Sequence, residues 1–337
     1  MFGRFKSRPK PVALPHSATS AGAEHLLRRL EWTVIRRLDG LLQGDYRTLL
    51  RGSGLDLADL REYQHHDDVR HIDWNVTARL QVPHVRVFTE DREMAAWFLL
   101  DLSPSVDFGS GTASKLQLSA EFVAVLARLL TRHGNRVGAL LYGTRLEGVI
   151  PARGGRAHVL RLLHAIQAHH GAAAGKPGGT TTRLHELLEA AGTTVRRRST
   201  LFVLSDFISE PGWERVLGQL AQRHDVVAVR LLDPMELELP DLGLVPIVDA
   251  ETGVQLLVDT HDPGFRQRFA RIAAEREAAL RLALARCGVD TLELSTEDDL
   301  TRSVLRFTDL RKRRSRSAGA ASAHLRATAA RPQGALA

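Results

Sequence analysis

Two short runs of large apolar residues, each followed at once by polar residues that include an aspartate, limit the fold of this chain more than any other feature. Residues 97–100 (Trp-Phe-Leu-Leu) end at Asp101, and residues 201–204 (Leu-Phe-Val-Leu) end at the pair Ser205-Asp206. Such runs are too short for a buried helix and do not alternate with polar residues, which is the pattern of strands buried on both faces. Strands of this kind are typical of parallel sheets that helices cover on both sides.

Segments with helical periodicity alternate with further apolar strands after residue 94. We predict helices at residues 115–133, 157–169, 182–190, 213–223 and 265–286, and a last helix that ends near residue 310. Further strands fall at residues 137–142, 146–150, 226–232 and 289–294, and a hairpin is predicted over residues 245–258. Strands that alternate with helices form crossover units, so the predicted fold class is α/β, with a mostly parallel sheet flanked by helices.

The chain before residue 94 has a different pattern and predicts an N-terminal helical and β-rich extension that packs on the sheet. Apolar residues recur at helical spacing over residues 24–42, and strand-like segments follow at residues 56–63, 72–78 and 84–90. We therefore divide the chain into four parts: a flexible basic leader (1–22), the extension (23–93), the sheet domain (94–310) and a disordered Arg-rich tail (311–337).

The positive charge of the chain is concentrated at its two ends. The formal net charge is +7, but residues 1–12 carry four basic side chains and residues 311–337 carry seven, with no acidic side chain in either segment. The remaining residues therefore carry a net charge of −4. Arginine-rich ends can bind nucleic acid, but no aromatic residues for base stacking lie among these. A solvated tail is the preferred interpretation, and nucleic-acid binding is considered unlikely.

Composition excludes several other classes of protein. No apolar run reaches the ~20 residues that a membrane-spanning helix needs, and the N-terminus lacks the apolar segment of a signal peptide. The single cysteine, Cys287, excludes an intramolecular disulfide and a cysteine-rich zinc site. We therefore expect a cytoplasmic protein without a membrane span.

Carboxylate and hydroxyl side chains are concentrated where the two apolar strands end. Asp101, Ser103 and Ser105 form a D-x-S-x-S pattern, in which alternate residues of a turn can direct three oxygens to one point. Asp206 adds a second carboxylate, because the carboxyl ends of parallel strands meet at one edge of the sheet. The loop at residues 178–182 (Gly-Gly-Thr-Thr-Thr) can add a hydroxyl. Hard cations prefer such oxygen donors, so the pattern predicts a site for Mg²⁺, Mn²⁺ or Ca²⁺.

Simpler roles for these residues stay open. Ser103, Ser105 and Asp206 could each cap a helix, because Ser and Asp side chains accept hydrogen bonds from free backbone N–H groups. The pair His65-His66, followed by two aspartates, could bind a transition metal. Adjacent residues of an extended segment point to opposite faces, however, which favours a solvated turn.

Several further motifs, taken in this order along the chain, point to a known family. They are Leu60-Arg61-Glu62-Tyr63, Asp68-Val69-Arg70, Ile72-Asp73-Trp74, Ala78-Arg79, the D-x-S-x-S pattern with Phe108-Gly109, and Leu204-Ser205-Asp206-Phe207. With these motifs the chain resembles von Willebrand factor A-type domains over residues 49–311. It is similar above all to a bacterial branch, the domain of unknown function 58 family, often encoded beside MoxR-type AAA+ ATPases. The family's usual Pro-Gly-Asp step is replaced here by His65-His66-Asp67.

The resemblance implies a von Willebrand factor A-like (Rossmann-like) fold with a metal-ion-dependent adhesion site. Ser103 and Ser105 match the direct ligands of that site, and Asp101 and Asp206 match the carboxylates that often act through water. Thr182 is the predicted loop ligand, because Thr-x-Leu leads into a Leu-rich helix, and Thr181 is its main competitor.

The implied function is protein binding that depends on a divalent cation, without catalysis. An acidic side chain of a partner would complete the metal's shell, and the chain would act as an adaptor or co-factor of a MoxR-type AAA+ ATPase in the assembly or remodelling of protein complexes. No general base or nucleophile is evident beside the motif. Two alternatives stay open: a metal-dependent hydrolase using the same aspartates, and a nucleic-acid-associated scaffold. Arg70, Asp73, Trp74 and Arg79 form either a buried cluster or a partner surface.

Overall fold

The computed structural model describes residues 20–42, 56–65, 67–69, 72–89, 95–111, 113–173, 181–248 and 254–311. The predicted leader up to residue 19 and the predicted tail from residue 312 lie outside these residues, as do Arg70 and His66 of the sequence motifs.

A six-stranded sheet forms the centre of the described structure. In chain order its strands are β3 (Ala95–Asp101), β4 (Arg136–Tyr142), β5 (Leu146–Arg153), β6 (Thr200–Ser205), β7 (Asp225–Leu232) and β10 (Asp290–Ser295). Their spatial order is β10-β7-β6-β3-β4-β5. All neighbours are parallel except β4 and β5, which form an antiparallel hairpin. This confirms the predicted mixed α/β architecture with a mostly parallel sheet.

Helices cover both faces of the sheet, and alternate residues of the apolar strands face the two layers. Phe98 and Leu100 belong to a core with helices α4 (Lys115–Arg132) and α5 (Arg156–Ala173). Trp97 and Leu99 belong to a second core with α6 (Leu184–Thr194), α7 (Trp213–Arg223) and α8 (Pro263–Cys287). Every residue of β6 is buried, as the unbroken apolar run predicts.

The N-terminal extension consists of a helical part and a small antiparallel sheet. Residues 20–42 are helical throughout, as α1 (Ser20–Leu30), one π-helical turn (Glu31–Ile35) and α2 (Arg36–Leu42). Leu27, Ile35 and Leu38 are fully buried in the same core as α4 and α5. Strands β1 (Asp56–Glu62) and β2 (His84–Thr89) pair antiparallel, close to the predicted bounds.

The prediction of a strand at residues 72–78 is wrong. The segment forms helix α3 (Trp74–Leu80), and only Ile72 makes an isolated bridge to β2. The Asp73 side chain accepts hydrogen bonds from the backbone N–H groups of Asn75 and Val76 and so caps the helix. A local capping interaction therefore outweighs the strand tendency of the apolar and β-branched residues in this segment.

The end of the chain contributes a hairpin and a helix. Strands β8 (Leu244–Val248) and β9 (Gln255–Asp259) form the predicted hairpin outside the main sheet. Helix α9 covers residues 300–311. Arg311, which the sequence assigned to the solvated tail, is buried in this helix, where Nη2 lies 2.7 Å from both carboxylate oxygens of Asp225. The described fold thus includes the first arginine of the tail.

Candidate metal centre

The two aspartates of the sequence motif lie at the same edge of the sheet. Strands β3 and β6 are hydrogen-bonded parallel neighbours, with Leu100 opposite Leu204, so Asp101 and Ser205-Asp206 follow at adjacent strand ends. Both aspartates are fully buried. The order of strands in the sheet therefore brings together residues that are 105 positions apart in the chain, as the parallel sheet predicted.

The Asp101 carboxylate organises the turn that follows β3. Its Oδ1 accepts a hydrogen bond from the backbone N–H of Ser103 at 3.0 Å, and its Oδ2 accepts one from the Ser205 hydroxyl at 2.6 Å. Burial and, second, the nearby charge of Asp206 raise the pKa of Asp101 to about 6. A cation bound beside Asp101 would oppose this rise, because a nearby positive charge favours the ionised carboxylate.

The hydroxyls of Ser103 and Ser105 lie side by side in this turn, with their Oγ atoms 3.1 Å apart. Both residues are buried. Ser103 precedes the 3₁₀ turn Pro104–Asp107 but makes no side-chain capping bond to it. Two neighbouring oxygens of an octahedral Mg²⁺ shell, each about 2.1 Å from the ion, are about 3 Å apart. The spacing of the two hydroxyls fits that requirement.

Each carboxylate oxygen of Asp206 has a partner within the protein. Oδ1 accepts a hydrogen bond from the backbone N–H of Ile208 at 3.0 Å, and Oδ2 lies 2.9 Å from the ammonium of Lys115. The next residue, Phe207, has φ = 55°, a left-handed conformation that bulky residues rarely adopt. Its ring packs on Trp213, with the ring centroids 5.3 Å apart, which holds the turn in place.

Lys115 lies at the candidate site, and the sequence motifs did not reveal it. Its side chain is completely buried, and its Nζ also lies 2.5 Å from Oε1 of Glu236. Lys115 is the first residue of α4, where a cation opposes the helix dipole. A basic residue in the first turn of an apolar helix was therefore the available signal that Lys115 has an anionic partner.

Thr182 lies in the loop before α6, which begins two residues later than predicted. Its backbone carbonyl accepts hydrogen bonds from the N–H of Glu210 and the hydroxyl of Ser209, both 2.9 Å long, so this loop is tied to the turn after Asp206. Thr182 is buried, whereas Thr181 is exposed and donates its hydroxyl to Glu210. Of the two threonines, Thr182 is the one placed inside the protein.

A second group of hydrogen bonds stabilises the neighbouring strand ends. Asp233, at the end of β7, accepts hydrogen bonds from the N–H and hydroxyl of Ser110 at 2.9 and 2.6 Å and from the hydroxyl of Thr296 at 2.8 Å. Arg230 of β7 donates to the backbone carbonyl of Asp206. The loop that follows β3 is thus fastened to strands β6, β7 and β10.

His169 connects the end of α5 to the D-x-S-x-S turn. Its Nδ1 lies 2.6 Å from Oε2 of Glu147, and its Nε2 lies 3.0 Å from the carbonyl oxygen of Leu102. A carbonyl and a carboxylate only accept hydrogen bonds, so both ring nitrogens must carry protons. The hydrogen bond to Glu147 raises the pKa of His169, while burial opposes the rise.

We expect His169→Gln to destabilise the protein more at pH 6 than at pH 9. A histidine whose pKa is raised by folding contributes stability below its unfolded pKa, about 6.5, and loses it as the pH rises through the folded value. Urea unfolding of both proteins at pH 6, 7.5 and 9 measures the difference. Glu147→Gln is expected to reduce the same pH dependence, and an equal difference at all three pH values would contradict the assignment.

Other candidate residues of the sequence lie away from this geometry or serve the local fold. Asp73 caps α3, and Trp74 is 69% exposed, so Trp74 is not part of a buried packing cluster. Among the described residues, no group of three or more His, Cys, Asp or Glu is arranged to hold a metal. A centre built on Asp101 and Asp206 therefore depends on its hydroxyl oxygens.

Within the described part of the chain, no helix has the length and apolar character needed to cross a membrane.

Comparison with known proteins identifies relatives but no activity. A family model described as protein of unknown function DUF58 matches residues 59–279. The uncharacterized protein Rv1480 of Mycobacterium tuberculosis is 39% identical over 287 residues, which cover 85% of this chain and 89% of the relative. The uncharacterized protein MAV169 of Mycobacterium avium is 37% identical over 164 residues, 49% of this chain and 94% of the relative.

Two solved structures are similar at a lower level. The conserved hypothetical protein BatB from Bacteroides thetaiotaomicron has a TM-score of 0.40 and 12% identity, covering 65% of this chain and 99% of that one. An aerotolerance-related membrane protein from Bacteroides fragilis has a TM-score of 0.39 and 11% identity, covering 64% and 98%. TM-scores below 0.5 do not establish a common fold.

Proposed function

Because the chain belongs to the DUF58 family of proteins of unknown function, we propose its function from the geometry of its own site. The protein is a non-enzymatic module that binds a partner protein through a divalent cation held at the carboxyl edge of the sheet. One observation carries this proposal: Asp101 and Asp206 follow two adjacent parallel strand ends, and the hydroxyls of Ser103 and Ser105 lie 3.1 Å apart in the turn after Asp101.

The donor set fits a hard cation such as Mg²⁺ or Mn²⁺. Ser103 and Ser105 would hold the ion directly, and Thr182, whose own side chain is buried, would add a hydroxyl. Asp101 and Asp206 already accept two hydrogen bonds each, so they suit a role through bridging water. The bound ion would supply an electrophilic centre for an oxygen ligand.

The chain's neutral hydroxyls favour a ligand with negative charge from outside. Serine and threonine oxygens neutralise none of the charge of a divalent ion, so an acidic side chain of a partner is the preferred last ligand. The positions of Asp101, Ser103, Ser105, Thr182 and Asp206 support a von Willebrand factor A-like site. The resemblance of the sequence motifs adds a partner to the proposal: the module acts in the cytoplasm as an adaptor for a MoxR-type AAA+ ATPase.

Calorimetric titration with Mn²⁺ and Mg²⁺ tests the metal site directly. We expect Ser103→Ala to weaken metal binding by at least about tenfold, the lower end of the effect of disturbing a metal shell. Thr182→Val is expected to weaken it as well, whereas Thr181→Val, the same change one residue earlier, is expected to leave it unchanged. Binding that is absent in the wild type, or equal in all four proteins, would refute the metal site.

Partner capture tests the second half of the proposal. A MoxR-type AAA+ ATPase from the same organism is mixed with the full chain in the presence of Mg²⁺ or of a chelator. We expect a complex with Mg²⁺ that the chelator and Asp101→Ala each remove. Equal affinity of wild type and Asp101→Ala for the partner would show that the metal has no part in recognition.

A further inference from the structure

Lys115 places its ammonium group inside the candidate metal centre. Its ammonium lies 2.9 Å from Oδ2 of Asp206 and 2.5 Å from Oε1 of Glu236, and no part of the side chain is exposed. In a buried site, where solvent screens charges weakly, an ammonium at this distance acts on a carboxylate as a bound monovalent cation does.

The position of this ammonium is fixed by the motif loop itself. The backbone N–H of Lys115 donates to the carbonyl of Phe108 at 2.9 Å, and the Phe108 ring centroid lies 5.9 Å from Nζ. A Cβ atom on Gly109 would lie only 2.5 Å from the carbonyl oxygen of Ala113, so the loop passes the start of α4 too closely for a larger residue. The D-x-S-x-S loop and the ammonium therefore form one packed unit.

Glu236 gives the ammonium a second partner that is anchored independently of Asp206. Its other carboxylate oxygen accepts a hydrogen bond from the backbone N–H of Asp233 at 3.1 Å. Asp233 is in turn held by Ser110 and Thr296. Lys115 can thus remain paired with Glu236 when the charge on Asp206 is shared with another cation.

We propose that Lys115 is a tethered counter-cation that competes with the divalent ion for Asp206 and so sets the metal affinity of the centre. The inference rests on the proposed function. Two cations that share one buried carboxylate repel each other, so the ammonium lowers the affinity for the metal. A partner's carboxylate adds the negative charge that offsets this repulsion, which makes binding of metal and partner mutually dependent.

Calorimetric Mn²⁺ titrations of the full chain, in 0.15 and 0.5 M salt, test the competition. We expect Lys115→Gln, which keeps a hydrogen-bond donor but removes the charge, to bind Mn²⁺ at least about tenfold more tightly than wild type at both salt concentrations. Arg183→Gln serves as the control. It removes a positive charge next to Thr182, but the Arg183 side chain is 54% exposed, so its effect is expected to be small and screened by salt.

A second measurement uses the wild type and so does not depend on a folded variant. The chain has five lysines, of which Lys115 is the one within the described residues. Its side chain is completely buried, so its side-chain ¹⁵N signal is expected to be protected from solvent exchange. We expect that signal to shift during a Mg²⁺ titration with the same midpoint as metal binding.

The outcomes separate this inference from the proposed function. If wild type binds metal but the Lys115 signal does not move, the inference is wrong and the metal site is retained. The same holds if folded Lys115→Gln binds metal equally or more weakly than wild type. Absence of metal binding in wild type and variant overturns both.

Discussion

Replacing Lys115 with methionine is expected to lower the free energy of unfolding by about 3–5 kcal/mol in a buffer that contains a chelator. Methionine fills a similar volume, so the loss comes from charge rather than from a cavity. Asp206 is fully buried beside Asp101, and the substitution removes the ammonium that now faces its carboxylate. Urea or thermal unfolding of the two proteins measures the difference.

A double variant distinguishes a charge effect from a packing effect. Asp206→Asn keeps an oxygen for the N–H of Ile208 but removes the negative charge that Lys115→Met leaves without its partner. The double variant Lys115→Met/Asp206→Asn is therefore expected to lose less free energy of unfolding than the two single variants lose together. We expect a coupling of about 1–3 kcal/mol. Strictly additive losses would show that Lys115 stabilises the protein through its aliphatic chain alone.

Excess Mg²⁺ is expected to recover part of the loss in Lys115→Met, because an ion that binds the folded state stabilises it.

The central sheet was predictable because its strands are buried on both faces. Residues 97–100 and 201–204 have no polar position, and that pattern is typical of strands in a parallel sheet that helices cover on both sides. The edge where Asp101 and Asp206 meet followed from the same pattern, since parallel strands end together. Helix α3 was not predictable in this way, because the spacing of its apolar residues suits a strand as well as a helix. The hydrogen bonds that the Asp73 side chain accepts favour the helix.

Sequence reasoning failed for two basic residues for the same physical reason. Arg311 was assigned to the solvated tail, and residue 115 was placed only as the start of a predicted helix, because most lysines and arginines are exposed. Each is buried because carboxylates distant in sequence lie opposite it: Asp206 and Glu236 for Lys115, and Asp225 for Arg311. Only the three-dimensional arrangement of the fold brings these pairs together, so the local sequence does not identify the partners.

The second large effect is expected at Arg311, in the last turn of α9. Its Nη2 lies 2.7 Å from both oxygens of Asp225, and its Nε lies 3.1 Å from Oδ2 of Asp290. These aspartates are the first residues of β7 and β10, at the sheet edge opposite the metal centre. Arg311→Met is expected to cost about 3–5 kcal/mol, because it leaves two nearly buried carboxylates without their counter-charge.

Arg281→Met is the matched control for that prediction. Arg281 also pairs with a carboxylate at 3.1 Å, that of Glu293, but its side chain is 64% exposed, whereas that of Arg311 is 2% exposed. Exposed ion pairs contribute about 1 kcal/mol or less, so Arg281→Met is expected to leave the urea midpoint nearly unchanged. Equal losses in the two variants would mean that burial of Arg311 adds nothing. Suppose that only Arg311→Met loses much stability and that its Mn²⁺ affinity is unchanged. The ion pairs of α9 then stabilise the amino ends of β7 and β10 without affecting the metal centre at the carboxyl edge.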